Sequence, residues 1–456
     1  MLRRLALVLL LSLGAACGNP AAGPSATPPP AAVCGNGVVQ AGEECDDGNT
    51  DDADSCLRTC ETPAVFVASD PHIHGHGCDG DMEPAGLQAL SSARGVAVTT
   101  PLVWGSGFHD DRRYFTGADD PVSRPGALVH YELEVSHFPA AQTGHLLLYG
   151  LNSIEFSSSL FRHPQSGMPV VDFARGQGPQ VVVGMAHGQF WPTTGRLPDF
   201  PETCCMPYDF APEALRGRVS FLGTEHRGNT PALDDGTAFL HRRVLNAGGR
   251  AALVGASDFP CINRTVVADV VRTDVLLDQP GEVTYARWLE ALRRGRTTVA
   301  VSGGTRLNLR VNGARLGDEV RVRAGSPLRV TVEARMPVAT EVRLLVNGVP
   351  AATARLEAVP QAASIQLQLD RSAWLQAVTP WVATSPIYVL VDERPILGAA
   401  EDVCYVLRYT DHLIRGVERR HLDLGRETGG ALAAYAEVRS LLAARFSEAG
   451  GTECRR

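Results

Sequence analysis

Three polar residues follow a short apolar run in the first fifth of the chain. Asp70, His72 and His74 come at the end of the run at residues 64–69. Because side chains on an extended segment alternate with a period of two, the imidazoles of His72 and His74 project from the same side. Two imidazoles placed in this way can bind one metal ion, and Asp70 can orient them from behind. The spacing therefore predicts the beginning of a metal site.

Other candidate ligands stand at the ends of further apolar runs. The runs cover residues 95–99, 129–135, 145–151, 180–186 and 251–256, and the candidates are Glu134, His145, His187 and Asp258. Short apolar runs that alternate with helical stretches are typical of an α/β barrel or a layered α/β sheet, where functional side chains gather at strand ends. Nitrogen and oxygen ligands suit zinc, with manganese or iron as alternatives. Each candidate has a structural explanation when taken singly, but six at strand ends favour a metal centre.

Some neighbouring residues have less specific interpretations. Glu132 lies two residues before Glu134 on the same face of its strand, so it is the alternative ligand or a supporting group. His76 is a candidate for proton transfer with a metal-bound water. His109 and His137 are candidates for the same role, although solvated loop histidines are the simpler explanation for all three.

The order of these motifs resembles that of the PHP superfamily of metallohydrolases, in its CehA/McbA-type branch. The resemblance extends over about residues 64–320. Its four landmarks are Asp70-x-His72-x-His74, Glu134 followed by Gly144-His145, Ala186-His187, and Ser257-Asp258. It implies a PHP-like α/β fold, which is a distorted TIM-type barrel or layered sheet, over residues 64–301. It also implies hydrolysis of an ester, carbamate or phosphoester by a metal-activated water.

The resemblance further implies two divalent transition-metal ions that share one carboxylate. The ligands of the first are His72, His74, Glu134 and Asp258. The ligands of the second are Glu134, His145 and His187. Histidines that hold a third metal in trinuclear members are replaced here by Pro101 and Pro260. The alternative is a non-catalytic surface binding protein on a degenerate PHP scaffold, for which His145 or His187 would point away from the others.

The composition of the whole chain excludes several other classes. The 456 residues include no Lys, which rules out a Schiff-base Lys, a P-loop Lys and a Ser-Lys dyad. The formal charge of −8 argues against a nucleic-acid partner. No Gly-x-Ser-x-Gly nucleophile motif occurs. A small-molecule substrate is therefore the partner that we expect.

The first residues have the layout of a secretory signal. Arg3 and Arg4 precede the apolar run at residues 5–13, and small residues lead to Cys17. This layout resembles a bacterial lipobox. It implies a signal peptide at residues 1–16 and a lipidated Cys17 that anchors an exported protein to the outer membrane or cell surface. Ordinary cleavage nearby, which gives a periplasmic protein, and a retained anchor are the alternatives. Residues 17–32 have the composition of a flexible linker.

The ten cysteines that follow Cys17 suit five disulfides in an oxidising compartment. Cys34, Cys45, Cys56 and Cys60 fall within residues 33–61, a segment that closely resembles the myxococcal cysteine-rich repeat. Four cysteines in so short a segment compensate for a core too small to be stable alone. We interpret its Asp and Asn cluster as a solvated acidic loop in preference to a calcium site.

The pattern changes after residue 301. Alternating strands and the turns Asn312-Gly313 and Asn347-Gly348 predict a small β-sandwich over residues 302–392. Residues 393–456 form the C-terminal helical segment, in which helical spacing over about residues 429–449 predicts a packing helix.

Overall fold

The structure is a computed structural model of the chain. It describes residues 33–78, 80–104, 111–136, 143–155, 166–200, 205–225, 235–263, 271–278, 280–301, 305–358 and 360–454. The expected signal peptide, Cys17, the linker, His109 and His137 lie outside these residues. The described part is mixed α/β with a large mixed sheet.

The strands and helices follow one another along the whole described chain. The strands are β1 (Val65–Ile73), β2 (His76–Gly77), β3 (Gly80–Asp81), β4 (Val98–Val103), β5 (Leu128–Val129), β6 (Glu132–Val135), β7 (Leu146–Tyr149), β8 (Val182–Met185), β9 (Phe221–Thr224), β10 (Ala252–Gly255), β11 (Arg272–Leu277), β12 (Thr297–Ala300), β13 (Arg306–Val311), β14 (Glu319–Val322), β15 (Pro327–Arg335), β16 (Thr340–Val346), β17 (Val349–Leu356), β18 (Gln361–Gln368), β19 (Ala373–Val378), β20 (Val382–Thr384) and β21 (Ile387–Val391). The helices are α1 (Pro84–Ser92), α2 (Met168–Gly176), α3 (Phe210–Leu215), α4 (Gly236–Asn246), α5 (Tyr285–Arg293), α6 (Ala400–Glu418) and α7 (Thr428–Glu448).

The large sheet begins with the strands that precede the candidate ligands. Its order is β10-β9-β8-β7-β6-β4-β1-β11-β12, continuing to β20. The pairs β1–β4, β4–β6, β8–β9 and β9–β10 are parallel, whereas β7 is antiparallel to both β6 and β8. All six apolar runs of the sequence contain strand residues. The strand β9 was not predicted.

The two ends of the run from β1 to β10 meet beside the candidate ligands. The main-chain N–H of His74 donates to the carbonyl oxygen of Phe259 at 2.7 Å, and the N–H of Asp258 donates to that of His72 at 2.8 Å. Ile73 and Phe259 form a parallel β-bridge. The segment after β10 therefore lies against the end of β1.

Close packing holds these strands in place. A Cβ added to Gly184 of β8 would lie 1.9 Å from the ring of Phe221 on β9, so only glycine fits there. Leu147, Phe221 and Trp288 of α5 belong to one buried apolar cluster. The helix is thereby fixed against the sheet by burial of apolar surface.

The C-terminal strands form two layers. The three-stranded sheet β13-β15-β18 shares one apolar core with β16, β19 and β21 of the large sheet. Asn347 and Gly348 have φ values of 51° and 80° in the hairpin between β16 and β17, as the sequence predicted. Because β12 pairs with β20, the boundary predicted at residue 301 falls within one continuous sheet.

The C-terminal helices pack on the α/β part of the molecule. The predicted packing helix is α7, and α6 precedes it. The hydroxyl of Tyr409 on α6 donates to the carbonyl oxygen of Tyr208 at 2.7 Å, and that of Tyr435 on α7 donates to Asp209 at 2.5 Å. No helix among those described is long and apolar enough to cross a membrane.

The N-terminal module is cross-linked and docked on the three-stranded sheet. Disulfides join Cys34 to Cys60 and Cys45 to Cys56, which confirms the predicted disulfides of this module. Arg310 on β13 contacts Glu44 at 2.8 Å and donates to the carbonyl oxygen of Thr62 at 2.6 Å. The Asp46 carboxylate accepts four main-chain N–H bonds, from Gly35, Asn36, Gly37 and Gly48. These bonds hold the acidic loop in its folded conformation.

Candidate metal centre

The structure brings all six predicted ligands together at one end of the strands. Each of these residues is at most 6% exposed: His72, His74, Glu134, His145, His187 and Asp258. His145 joins the others because it precedes β7. That strand is antiparallel to β6, so its beginning lies beside the end of β6, where Glu134 stands.

In four of these residues, two imidazole nitrogens lie close to the same two carboxylates. The Nε2 atoms of His72 and His74 lie 3.4 Å and 3.2 Å from Oε2 of Glu134. The same two nitrogens lie 3.4 Å and 3.2 Å from Oδ1 of Asp258. Two imidazoles and two carboxylates thus converge, and we call these four residues the first ligand set.

The other oxygen of Glu134 belongs to a second group. Oε1 lies 2.6 Å from Nδ1 of His145, which lies 3.1 Å from Nε2 of His187. The same His187 nitrogen lies 4.0 Å from Oδ2 of Asp258. We call Glu134, His145 and His187 the second ligand set. Glu134 therefore contributes one oxygen to each set.

Unpaired polar atoms within the first set fit a cation. Nε2 of His72, Oε2 of Glu134 and Oδ1 of Asp258 are buried and have no hydrogen-bond partner among the described residues. A buried polar atom without a partner costs about 1–3 kcal/mol, more if it is charged. These atoms face one another, so a cation between them would satisfy all three at once.

The electrostatics of the first ligand set favour positive charge on its two imidazoles. Burial lowers the pKa of His72, but Asp258 and Glu134 outweigh it and raise that pKa well above its ordinary value. Burial also lowers the pKa of His74, but Asp258 and Glu134 outweigh it and raise that pKa to about 9. Burial raises the pKa of Glu134, but His145 and His72 outweigh it and hold that pKa well below its ordinary value. A site that draws protons onto imidazoles can exchange them for a metal ion.

Local backbone conformation and a disulfide position the ligands. His187 and Asp258 have φ values of 65° and 46°, in the left-handed region that non-glycine residues rarely adopt. A disulfide joins Cys78, four residues after His74, to Cys261, three residues after Asp258. The loops after β1 and β10 are therefore covalently tied beside the first ligand set.

Asp70 does not orient the imidazoles as predicted. Its carboxylate accepts hydrogen bonds from the N–H and Oγ of Ser257, at 3.0 Å and 2.6 Å, and from the main-chain N–H of His72. Burial, opposed by these bonds, raises the pKa of Asp70 to about 6. The pairing of β1 with β4 shifts register between Asp70 and Ile73, which interrupts the simple alternation. Asp70 instead holds the loop that carries Asp258.

Glu132 does not belong to the cluster either, although it was the alternative ligand. It accepts hydrogen bonds from the main-chain N–H of Gly150, at 2.6 Å, and from the hydroxyl of Tyr285. Burial raises the pKa of Glu132 to about 8, although these hydrogen bonds act to lower it. Two residues along a strand span about 7 Å, which places its carboxylate one repeat away from that of Glu134.

His76 lies on the β2–β3 hairpin, and its ring contacts two aspartates outside the ligand sets. Its Nδ1 lies 2.7 Å from Oδ1 of Asp111, and its Nε2 lies 3.3 Å from Oδ1 of the exposed Asp81. Within the described residues its ring has no contact with the ligand sets. Proton transfer by His76 remains a prediction without support from these contacts.

The sequence reasoning missed Glu225, which follows β9 and is fully buried. Its Oε1 lies 3.2 Å from Nδ1 of His72, and its Oε2 lies 3.1 Å from Nδ1 of His187. Burial raises the pKa of Glu225, but the two histidines outweigh it and lower that pKa strongly. The signal was available, because Phe221-Leu-Gly-Thr-Glu225 is another short apolar run that ends in a carboxylate.

Comparisons with known proteins add no assignment. No family model matches this sequence, and no curated protein is detectably similar to it.

Proposed function

We propose that the protein is a metal-dependent hydrolase of the PHP type, in the CehA/McbA-type branch, with two divalent cations in the two ligand sets. Zinc is the favoured ion, and manganese or iron are the alternatives. The observation that supports this most is the convergence of six buried nitrogen and oxygen ligands around a shared Glu134. The substrate class is an ester, a carbamate or a phosphoester.

The strand arrangement supports a PHP-like barrel as the underlying fold. The bridge between Ile73 and Phe259 brings the two ends of the run from β1 to β10 together. The ligands then lie at the strand ends, where α/β barrels carry their active sites. In this proposal residues 64–301 form the catalytic domain, residues 302–392 form a β-sandwich and residues 393–456 pack on the catalytic domain.

The chain's own residues prepare the site for hydrolysis. When bound, the cations supply an activated water and stabilise the charge that develops on the scissile group. Nδ1 of His74 donates to the carbonyl oxygen of Leu102 at 3.2 Å, so its Nε2 lone pair is available to the first ligand set. The ring of Trp104 packs against His74 with centroids 4.7 Å apart. Burial of the ligands strengthens each electrostatic contact relative to water.

The alternative function is a non-catalytic surface binding protein. It predicts that His145 or His187 faces away from the other histidines. Instead, Nε2 of His187 lies 3.1 Å from Nδ1 of His145, which lies 2.6 Å from Oε1 of Glu134. No described contact favours this alternative.

A screen of hydrolysis tests the proposed function. We expect protein loaded with zinc or manganese to cleave at least one of an aryl ester, a methylcarbamate and an aryl phosphate. A chelator should abolish this activity, and metal addition should restore it. The Glu132→Gln variant serves as a control because it alters a buried carboxylate outside the ligand sets. Absence of chelator-sensitive cleavage by protein that contains both cations would favour the binding protein.

We also propose that the protein is exported and anchored through a lipid on Cys17. The disulfides support an oxidising compartment. Wild-type protein should partition with membranes, and Cys17→Ser should accumulate as the unprocessed precursor. Wild-type protein that is wholly soluble after cleavage at another residue would rule out the anchor.

A further inference from the structure

Glu225 touches one histidine from each ligand set. His72 belongs to the first set and His187 to the second, and both present Nδ1 to the same carboxylate at 3.2 Å and 3.1 Å. The main-chain N–H of His187 also donates to Oε2 at 2.8 Å. Glu225 is 0% exposed, so water cannot take over these contacts.

The chemistry of a carboxylate restricts where the imidazole protons lie. An ionised carboxylate only accepts hydrogen bonds, so a neutral His72 beside it carries its proton on Nδ1. The same reasoning applies to His187, whose Nδ1 contact has the length of a hydrogen bond without its full alignment. Both rings then present the Nε2 lone pair to the cluster, which is the form that binds a metal ion.

We propose that Glu225 is a positioning residue that fixes the tautomers of His72 and His187 and thereby couples the two ligand sets. This inference rests on the proposed function only in assuming that the sets bind cations. Glu225 is not itself a ligand in this account, because its two oxygens face the outer nitrogens of the rings.

The amide of Gln would not serve both histidines. The main-chain N–H of His187 can only donate, so the amide oxygen of Gln must occupy the position of Oε2. The amide NH2 group then occupies the position of Oε1 and donates to Nδ1 of His72. His72 is forced to carry its proton on Nε2, the atom that faces Glu134 and Asp258. Glu225→Gln should therefore disable the first set selectively.

The substitution by Ala should act differently. Glu225→Ala removes the acceptor from both histidines and leaves each ring free to adopt either tautomer. We expect both cations to bind more weakly, without selection of one set. A residue with a merely structural role would behave in the opposite way, because isosteric Gln would be harmless and only the cavity left by Ala would destabilise the protein.

Metal affinity, measured by chelator competition and elemental analysis, tests the proposal. Wild-type protein and the matched control Glu132→Gln should each hold two cations. Glu225→Gln should bind the first cation roughly 10- to 100-fold more weakly, in the range known for residues that orient metal ligands, and should retain the second. The double variant Glu225→Gln with His187→Ala should lose the second cation and bind the first as weakly as Glu225→Gln does, whereas His187→Ala alone should retain the first at its wild-type affinity.

Two outcomes separate this inference from the proposed function. Unchanged affinity for both cations in Glu225→Gln, or equal weakening of both, would overturn the positioning role and leave the hydrolase proposal intact. Selective weakening of the first cation in Glu225→Gln, with no substrate hydrolysed by the wild-type protein, would support the positioning role while the proposed function fails. Thermal unfolding of the metal-free variants should be similar for Glu225→Gln and Glu132→Gln, which checks that folding is not the cause.

Discussion

Replacement of Glu134 by Gln tests whether one carboxylate serves both ligand sets. Oε2 faces His72 and His74 at 3.4 Å and 3.2 Å, and Oε1 faces His145 at 2.6 Å. Gln keeps the shape of the side chain but removes the charge and turns one oxygen into a donor. Because each oxygen belongs to a different set, affinity for both cations should fall.

The size of the effect follows from the burial of the site. Removing one partner of a buried charge pair costs about 3–5 kcal/mol. At about 1.4 kcal/mol per tenfold, the product of the two dissociation constants should rise by roughly 10² to 10⁴. If the loss is shared, each cation binds at least about tenfold more weakly.

Titration of the metal-free Glu134→Gln variant against a coloured chelator measures both constants. Glu132→Gln provides the control, since it makes the same change in a buried carboxylate on the same strand. Loss of one cation with unchanged affinity for the other would show that Glu134 is a terminal ligand and would refute the reasoning.

Three further predictions address single features of the structure. His187→Ala should empty the second ligand set and leave one cation per chain, and retention of two by elemental analysis would contradict this. Burial raises the pKa of Asp209 to about 7, although the hydrogen bond from Tyr435 acts to lower it. Folding therefore favours the protonated carboxyl of Asp209, and the stability that this group contributes is lost as pH rises from about 4 towards 7. Asp209→Asn should therefore gain stability relative to wild type over this window, by up to about 1.4 kcal/mol per pH unit in urea unfolding, and a pH-independent difference would exclude the assignment. The disulfide between Cys78 and Cys261 closes a loop with a sequence separation of 183, so replacing both residues by Ser should lower the free energy of unfolding by up to about 5 kcal/mol; an unchanged value would show that the disulfide does not contribute.

The sequence predicted the candidate ligands because each lies beside a recognisable apolar run. Period-two spacing placed His72 and His74 on one side of β1, and the structure has both Nε2 atoms at the same carboxylates. The metal-binding role itself remains a prediction. Glu225 was missed because the run before it has only two large apolar residues, Phe221 and Leu222, whereas the runs at residues 180–186 and 251–256 are longer.

Other parts of the structure depend on contacts between distant segments. Asp70 pairs with Ser257 across 187 positions, and no local pattern encodes that choice. Glu132 lies on the expected face of its strand, but Tyr285 on α5 determines what it contacts. The docking of Arg310 on Glu44 likewise joins segments that the sequence presented as independent modules.

The metal content of reconstituted wild-type protein tests the central claim most directly. The protein should be stripped with a chelator, loaded with excess zinc or manganese, freed of weakly bound metal by gel filtration and analysed for metal per chain. Two tightly bound cations per chain are expected from the two ligand sets that share Glu134. A stoichiometry of zero, or of three, would contradict the account.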